Sequence, residues 1–432
     1  VEIRRFIAGF WLAAAAQAAP TYTKDVAPIL YKNCASCHRP GQVAPFSLLT
    51  YRDAAARALQ IAAVTGQRYM PPWKPEPGYG HFSNERRLSD ADIRTLGEWA
   101  RAHAPMGNPK DLPPAPVFAS GWFAGEPDEA LSIPGKSMIA ADGPDRFQCF
   151  VLPYNADAER FVKSMEFRPG NPRVVHHALV FIDTSGKARK LDQAAHGAGY
   201  PCFGGPGFIP AGMLGGWAPG ATPAQLPNGL AITIPKGADL VLQIHYHPSG
   251  KPETDTSVAG LRFTGAPEKG LTSMVVLSRR IDIPAGDAHY EVKSSLEVPE
   301  DVKAIGITPH AHYLCKDMKV TAQLPDGKSM PLIWIKDWDF NWQGQYRFAS
   351  PVDLPKGTRI TLDYIYDNSA ANPRNPSNPP RRVTFGEQTT DEMALAFLAV
   401  ELPSRYDVTR FRREMMLNLF AHIIRERFGF GS

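Results

Sequence analysis

Cys34 and Cys37 stand three residues apart with His38 directly behind, the C-x-x-C-H pattern of covalent haem attachment. On one helical turn, two such thiols meet the two vinyl groups of a porphyrin, and the adjacent imidazole offers an axial nitrogen to the iron. A redox dithiol or half of a zinc site could use the same cysteines, but the histidine after the second one favours a c-type haem. Met70, in Tyr69-Met70-Pro71-Pro72-Trp73, is the expected distal ligand, because the prolines forbid helix and present the thioether from an extended loop. Further along, His176-His177, His245-Tyr246-His247 and His310-Ala311-His312 form three close groups among 12 histidines. Imidazole is the commonest protein ligand for transition metals. No carboxylate falls inside any group, which favours copper, and zinc less, over magnesium, calcium or manganese. His312, Cys315 and Met318 have the ligand types of a blue-copper centre, but Met318 continues an apolar alternation with Val320, Ala322 and Leu324 and reads as core.

Two kinds of scaffold must position these residues. Ser89 and Asp92 make a capping box, and Ile93, Leu96, Ala100 and His103 fall on one helical stripe. Residues 19–105 therefore resemble a class I cytochrome c, and a small all-α domain is expected there. A linker rich in proline follows, 106–124. Beyond it, runs such as Arg173 to Ile182, Asp239 to His247, Lys319 to Leu324 and Arg359 to Tyr366 are β-branched or alternating, with Gly/Pro turns between them, as in antiparallel sandwiches. The length suits two sandwiches, with a seam at Gly265 to Gly270. In a strand, i and i+2 share a face. Leu240, Leu242, Ile244 and Tyr246 thus form the core face, and Gln243, His245 and His247 look outward to a cleft. His310 and His312 share parity beside Pro309, which implies a bulge or strand edge. His176 and His177 should point to opposite faces and can bind one ion only by flanking it or where the backbone is distorted.

The net charge of +4 is too small to argue for nucleic acid or an anionic membrane as the main partner. With 36 Gly and 41 Pro, the composition is that of a loop-rich β protein. Arg4 and Arg5, the apolar stretch Phe6 to Ala16, and Ala16-Gln17-Ala18 read as a signal peptide over 1–18. A periplasmic or secreted protein is expected, with no integral membrane segment after its removal. The tail, 406–432, reads as an amphipathic helix.

Val174-Val175-His176-His177, Val241-Leu242-Gln243-Ile244-His245-Tyr246, His310-Ala311-His312 and Thr390-Asp391-Glu392-Met393 occur in the order seen in the type II copper, ascorbate-dependent monooxygenases. The chain resembles that family, which includes the peptidylglycine α-hydroxylating and dopamine β-monooxygenases, over 125–402, including Gly216-Trp217-Ala218-Pro219-Gly220. The resemblance implies two all-β, jelly-roll-like sandwiches, 125–267 and 268–405, with two copper ions across a solvent-filled cleft. His176, His177 and His245 would hold the electron-supplying copper. His310, His312 and Met393 would hold the oxygen-binding, catalytic one. His247 lies outside the shared pattern. Cys149 and Cys202 match a family disulfide, leaving Cys315 free.

The implied reaction is R–H + O2 + two electrons + two protons to R–OH + H2O. Where the peptide-hydroxylating member carries an Arg, an Asn and a Tyr as polar anchors, this chain has Thr308, Leu395 and Phe397. A peptide carboxylate is therefore a poor fit, and a small apolar or aromatic substrate hydroxylated at an aliphatic or benzylic C–H is expected. The haem, fed by an electron donor, would relay electrons to the His-only copper, replacing or supplementing external ascorbate. The competing class is a non-enzymatic haem-copper electron carrier or copper-binding protein.

Overall fold

The computed structural model describes residues 19–428 except 41, 43, 119–120, 156, 196, 204, 219–222, 224–225, 228 and 387. The signal-peptide expectation for 1–18 lies outside the described residues, as does the Pro219-Gly220 end of the glycine-rich motif. The chain forms two compact units. One holds the chain up to Pro72 with Arg86–Phe118, and the other holds Trp73–Glu85 with everything after Phe118.

The expectation of a small all-α cytochrome c domain ahead of the sandwiches is overturned. The described residues form six α-helices against twenty-one strands, and the helices of the first unit are short. Ala27–Asn33, Tyr51–Ala55 and Ala58–Gly66 run five to nine residues. Only Asp90–Arg101 is longer, and it opens on the expected capping box of Ser89 and Asp92. Its buried anchors are Leu96, Trp99 and Ala100, while His103 lies beyond the helix end at φ 62°. Nor do residues 19–105 stay together. Pro71, Pro72, Pro75 and Pro77 remove the backbone donors a helix would need. The segment from Trp73 instead docks on the β unit, with Trp73 and Phe82 against Tyr346. It also exchanges backbone hydrogen bonds, Ser83 N–H to Arg347 O and Ala349 N–H to His81 O, along the edge strand Tyr346–Leu354.

Within the β unit lie two pairs of antiparallel sheets. In the first pair, Glu129–Ser132, Val258–Thr264, Arg160–Arg168 and Ile232–Ile234 form four strands in that order. Tyr200–Pro201, Arg146–Val151, Asp239–Tyr246, Val175–Asp183 and Gly212–Trp217 form five. Phe167 and Leu261 of one sheet share a core with Phe150, Leu240, Leu242, Ile244 and Tyr246 of the other. In the second pair, one sheet runs Gly270–Ser278, Ala394–Leu402, Val302–His310 and Tyr346–Leu354. Its companion runs Tyr290–Glu297, Arg359–Tyr366, Cys315–Gln323 and Ser329–Ile335. The two sheets share a second core that contains Met318, Val320, Leu362, Tyr364 and Leu398. The last strand of the first pair ends at Thr264, and the first strand of the second begins at Gly270.

The alternation on Asp239–Tyr246 holds for the core face, but the other face is not an open cleft. All eight residues are buried. Gln243 donates to Cys202 O, and Val241 packs in a small cluster with Ala188, Tyr200 and the Cys149–Cys202 disulfide. Cys315 is free and buried. The helix Val408–Phe428 lays Phe411 and Met415 into the second core, while Arg412 donates to Thr272 Oγ1 at 2.9 Å and to Ala211 O of the first sandwich. No helix among the described residues is long and apolar enough to cross a membrane.

Candidate metal centres

The first centre is made by a fault in a ladder. Val175 pairs with Tyr246 and His177 with His245, so His176 is an extra residue between two pairs. A bulge of this kind leaves one residue unpaired and re-aims its side chain. Two adjacent imidazoles, which a regular strand would send to opposite faces, here converge. His177 Nδ1 lies 3.2 Å from His176 Nδ1 and 3.3 Å from His245 Nδ1. The three rings are splayed at 64–72° to one another, and their ligand atoms all lie within 4.8 Å. Imidazole nitrogens that share one ion at 2.0–2.1 Å would stand about 3.3 to 3.6 Å apart in tetrahedral or trigonal geometry. The cluster therefore fits an ion with its Nδ1 atoms inward.

The surroundings fix the proton of His245 as such a site needs. His245 is 1% exposed and donates from Nε2 to Asp145 Oδ2 at 2.8 Å, which leaves its Nδ1 lone pair for the centre. The other Asp145 oxygen takes a hydrogen bond from His247 Nδ1 at 2.7 Å. Burial alone would raise the Asp145 pKa, but the two imidazole hydrogen bonds and charges bring it down to about 2. Burial, then the charge of neighbouring imidazoles, pushes His176 down to about 4 and His177 well below the ordinary histidine value. Both are neutral at physiological pH, as ligands must be. Phe147 stacks on His245 at 4.2 Å. Gly216, in the strand beside His177, is closely faced by Leu179: a Cβ there would stand 2.6 Å from Leu179 Cδ2 and would require that side chain to shift.

The second centre sits where the strand Val302–His310 ends. Pairing with Tyr346–Leu354 stops at Ile307, so Pro309 lies past the edge contact, as a residue without N–H requires. The His310 and His312 rings are 5.2 Å apart and nearly perpendicular. His310 Nδ1 donates to Gln343 Oε1 at 2.7 Å, and His312 Nδ1 to Asp391 O at 3.0 Å. Each ring therefore keeps Nε2 as its lone pair, the opposite choice from His245. Burial, then the charge of His312, takes His310 down to about 3, and burial lowers His312. Met393 follows Glu392, whose carboxylate accepts from the backbone N–H of both His312 and Met393. In the sheet, His310 faces Leu395 and Thr308 faces Phe397. The alternate residues Ala394, Ala396 and Leu398 point into the core, and Phe397 is 38% exposed. The Leu395–Phe397 face is thus not a closed apolar pocket: Leu395, facing His310, is 9% exposed and Phe397 stands out from the sheet.

One loop, between Ile335 and Tyr346, serves both centres. Phe340, 5% exposed, lies parallel to His176 at 5.8 Å and edge-on to His312 at 5.6 Å. Trp338 Nε1 donates to His312 O, and the Gln343 amide that holds His310 is itself anchored on Phe340 O. A buried aromatic ring stands where a solvent-filled cleft was expected. Asp145, Phe340, Gln343 and Glu392 were not assigned from the sequence. Glu392 alone lay in a recognised motif, and no spacing marked the other three.

In the first unit, the turn after Ala27–Asn33 carries Cys34 and Cys37, with the Cys37 and His38 N–H groups both on Cys34 O. His38 Nδ1 donates to Phe46 O at 3.2 Å, leaving Nε2 for an axial bond, and burial lowers its pKa. Burial pushes the Cys34 thiol up to about 12. Met70 is half-buried, with its N–H on Val64 O. Met318 is enclosed in the second core, as expected of a packing residue, and Cys315 lies there too.

No family model and no curated protein matches the chain. Among solved structures, it is similar to the major capsid protein P2 from Bacteriophage PM2, at 11% identity over 63% of this chain and 97% of that one, with a TM-score of 0.27. It is also similar to PNGF-II, at 10% identity over 63% and 65%, TM-score 0.27. Likeness this slight carries no argument about fold or function.

Proposed function

We propose that the protein is a copper-dependent monooxygenase that hydroxylates an aliphatic or benzylic C–H bond of a small apolar or aromatic molecule with O2. The observation that carries this reading is the pairing of two imidazole centres of different make-up in one β unit. His176, His177 and His245 would hold one copper through Nδ1. His310 and His312 would hold the other through Nε2, with the soft thioether of Met393. Neutral nitrogen and sulfur donors suit copper in both oxidation states. Copper would supply one-electron chemistry and oxygen activation. The protein's part is to keep the protons of His245, His310 and His312 on the outer nitrogen, through Asp145, Gln343 and Asp391, and to offer Thr308, Leu395 and Phe397 to the substrate. A c-type haem on Cys34, Cys37 and His38, with Met70 as the distal ligand, would receive electrons from a donor and pass them on. The disulfide suits a periplasmic or secreted protein.

The test is copper and haem per chain, in wild type and in His310→Ala, for protein matured with haem attachment. Two coppers and one haem, falling to one copper in the variant, are expected. One copper or none in the wild type would overturn the reading. Copper binding without substrate-dependent oxygen uptake would leave an electron carrier instead. Ferrous, copper-loaded protein mixed with oxygen and substrate should oxidise its haem in step with product, and a haem that stays reduced excludes the relay.

A further inference from the structure

Glu392 is a carboxylate with none of its surface exposed, yet its partners are backbone donors. Its Oε2 accepts from His312 N–H at 2.8 Å and from Met393 N–H at 3.2 Å, and its Oε1 accepts from Leu314 N–H at 2.5 Å. His312 and Leu314 lie in the short connection from the strand Val302–His310 to the strand Cys315–Gln323, and Met393 just precedes Ala394–Leu402. The backbone of Glu392 is itself pinned, its N–H on Thr384 O and its O accepting from Gly386 N–H. One side chain therefore ties the segment carrying the second histidine to the segment carrying the methionine, across strands of both sheets of the second sandwich.

We infer that Glu392 is the positioning residue of the second centre, holding the backbones of His312 and Met393 in one geometry so that imidazole and thioether reach the same point. This rests on the copper reading above and assigns Glu392 no contact with the metal. Only an acid with two acceptor oxygens serves this role. A glutamine has one oxygen for three N–H groups, and its own NH2 would face a backbone donor, leaving buried donors unsatisfied. Aspartate keeps the oxygens but falls one methylene short.

Two readouts on the full-length protein test it, with Glu392→Gln and Glu392→Asp. In the metal-free protein, backbone amide exchange at His312, Leu314 and Met393 should accelerate in both variants, while exchange in Asp239–Tyr246 stays at the wild-type rate. In the copper(I) protein, copper–sulfur scattering in X-ray absorption should be present in wild type and lost in the variants. Copper at the second centre should bind ~10–100-fold more weakly, as for other groups that orient ligands, with the first centre unchanged. Wild-type exchange at the three amides, or an intact sulfur signal at wild-type affinity, overturns the inference. If the amides accelerate but the wild type itself shows no sulfur, the clamp stands and the assignment of Met393 to copper falls. Should the glutamine variant not fold, the aspartate variant carries both readouts.

Discussion

Asp145 offers the sharpest quantitative test of the first centre, because its two oxygens are divided between two imidazoles. Oδ2 takes the Nε2 proton of His245 and Oδ1 the Nδ1 proton of His247, at 2.8 and 2.7 Å. Asp145→Asn preserves shape but leaves one acceptor oxygen for two donors. When His247 takes it, His245 faces an amide NH2, and its Nε2 proton has nowhere to go. The ring then favours the tautomer with the proton on Nδ1, the nitrogen the centre needs bare. Loss of a group that orients a ligand weakens metal affinity ~10–100-fold, about 1.4–2.7 kcal/mol. A charge-assisted hydrogen bond of about 1.5–3 kcal/mol gives the same range from the other side. The assay is copper(I) affinity of the first centre against a competing chelator, in a His310→Ala background that removes the second. His247→Ala alone should change little, since His247 is exposed and not a ligand. The double variant Asp145→Asn, His247→Ala should recover part of the lost affinity, because the single amide oxygen is then free for His245. Equal affinity in Asp145→Asn and wild type, or no recovery in the double variant, would refute the tautomer mechanism.

Phe340→Ala removes a buried ring and should cost about 3–5 kcal/mol of stability by chemical denaturation. It should also alter the copper(II) spectra of both centres, because the ring touches His176 and His312; an effect on one alone would mean it bridges nothing. Replacing Cys149 and Cys202 by alanine opens a loop with a sequence separation of 53. The chain-entropy relation puts the loss at about 4 kcal/mol, and a denaturant midpoint within error of wild type would contradict it. Asp183 caps the start of the helix Lys187–Ala194, accepting from the Ser185 hydroxyl and from the Ser185 and Ala188 N–H groups at 2.6–2.8 Å. Burial alone would raise its pKa, but these hydrogen bonds outweigh it and hold the carboxyl below the ordinary value. A depressed folded-state pKa stabilises above the unfolded value of about 3.9 and is lost as pH falls through the folded one. The stability gap between wild type and Asp183→Asn, about 1 kcal/mol at neutral pH, should therefore close below about pH 4 and stay constant from pH 5 to 8.

The β part of the chain was legible because burial on one face writes a period of two into the sequence. Arg359–Tyr366 and Asp239–Tyr246 fall within a residue of where the alternation puts them. What alternation does not show is whether the second face is covered. Gln243 and His245 read as outward-looking polar residues, yet the disulfide and the helix Lys187–Ala194 enclose that side, a matter of tertiary packing. The helical expectation failed for a different reason. A capping box and an apolar stripe are local and came out right in Asp90–Arg101. That residues 73–85 leave for the edge of a sheet depends on Tyr346 and Arg347, more than 260 positions away.

The same distinction governs the centres. Residue types single out His245, His310 and His312 as candidates, although the strand ends at His310 and parity does not reach His312. The convergence of His176 with His177 depends on a register shift against a partner strand, which no single strand encodes. The groups that set the ligand protons are more remote still. Asp145 is 100 positions from His245, Gln343 33 from His310, and Asp391 79 from His312. None needs a particular local pattern, because each acts through one hydrogen bond whose geometry the fold supplies. Ligands leave a mark in sequence when two come from one strand or turn; the groups that orient them come singly from elsewhere. Phe340 is the extreme case. An aromatic in a loop, here between Trp338 and Trp342, carries no signal of its own, yet it is the residue through which the two imidazole clusters meet.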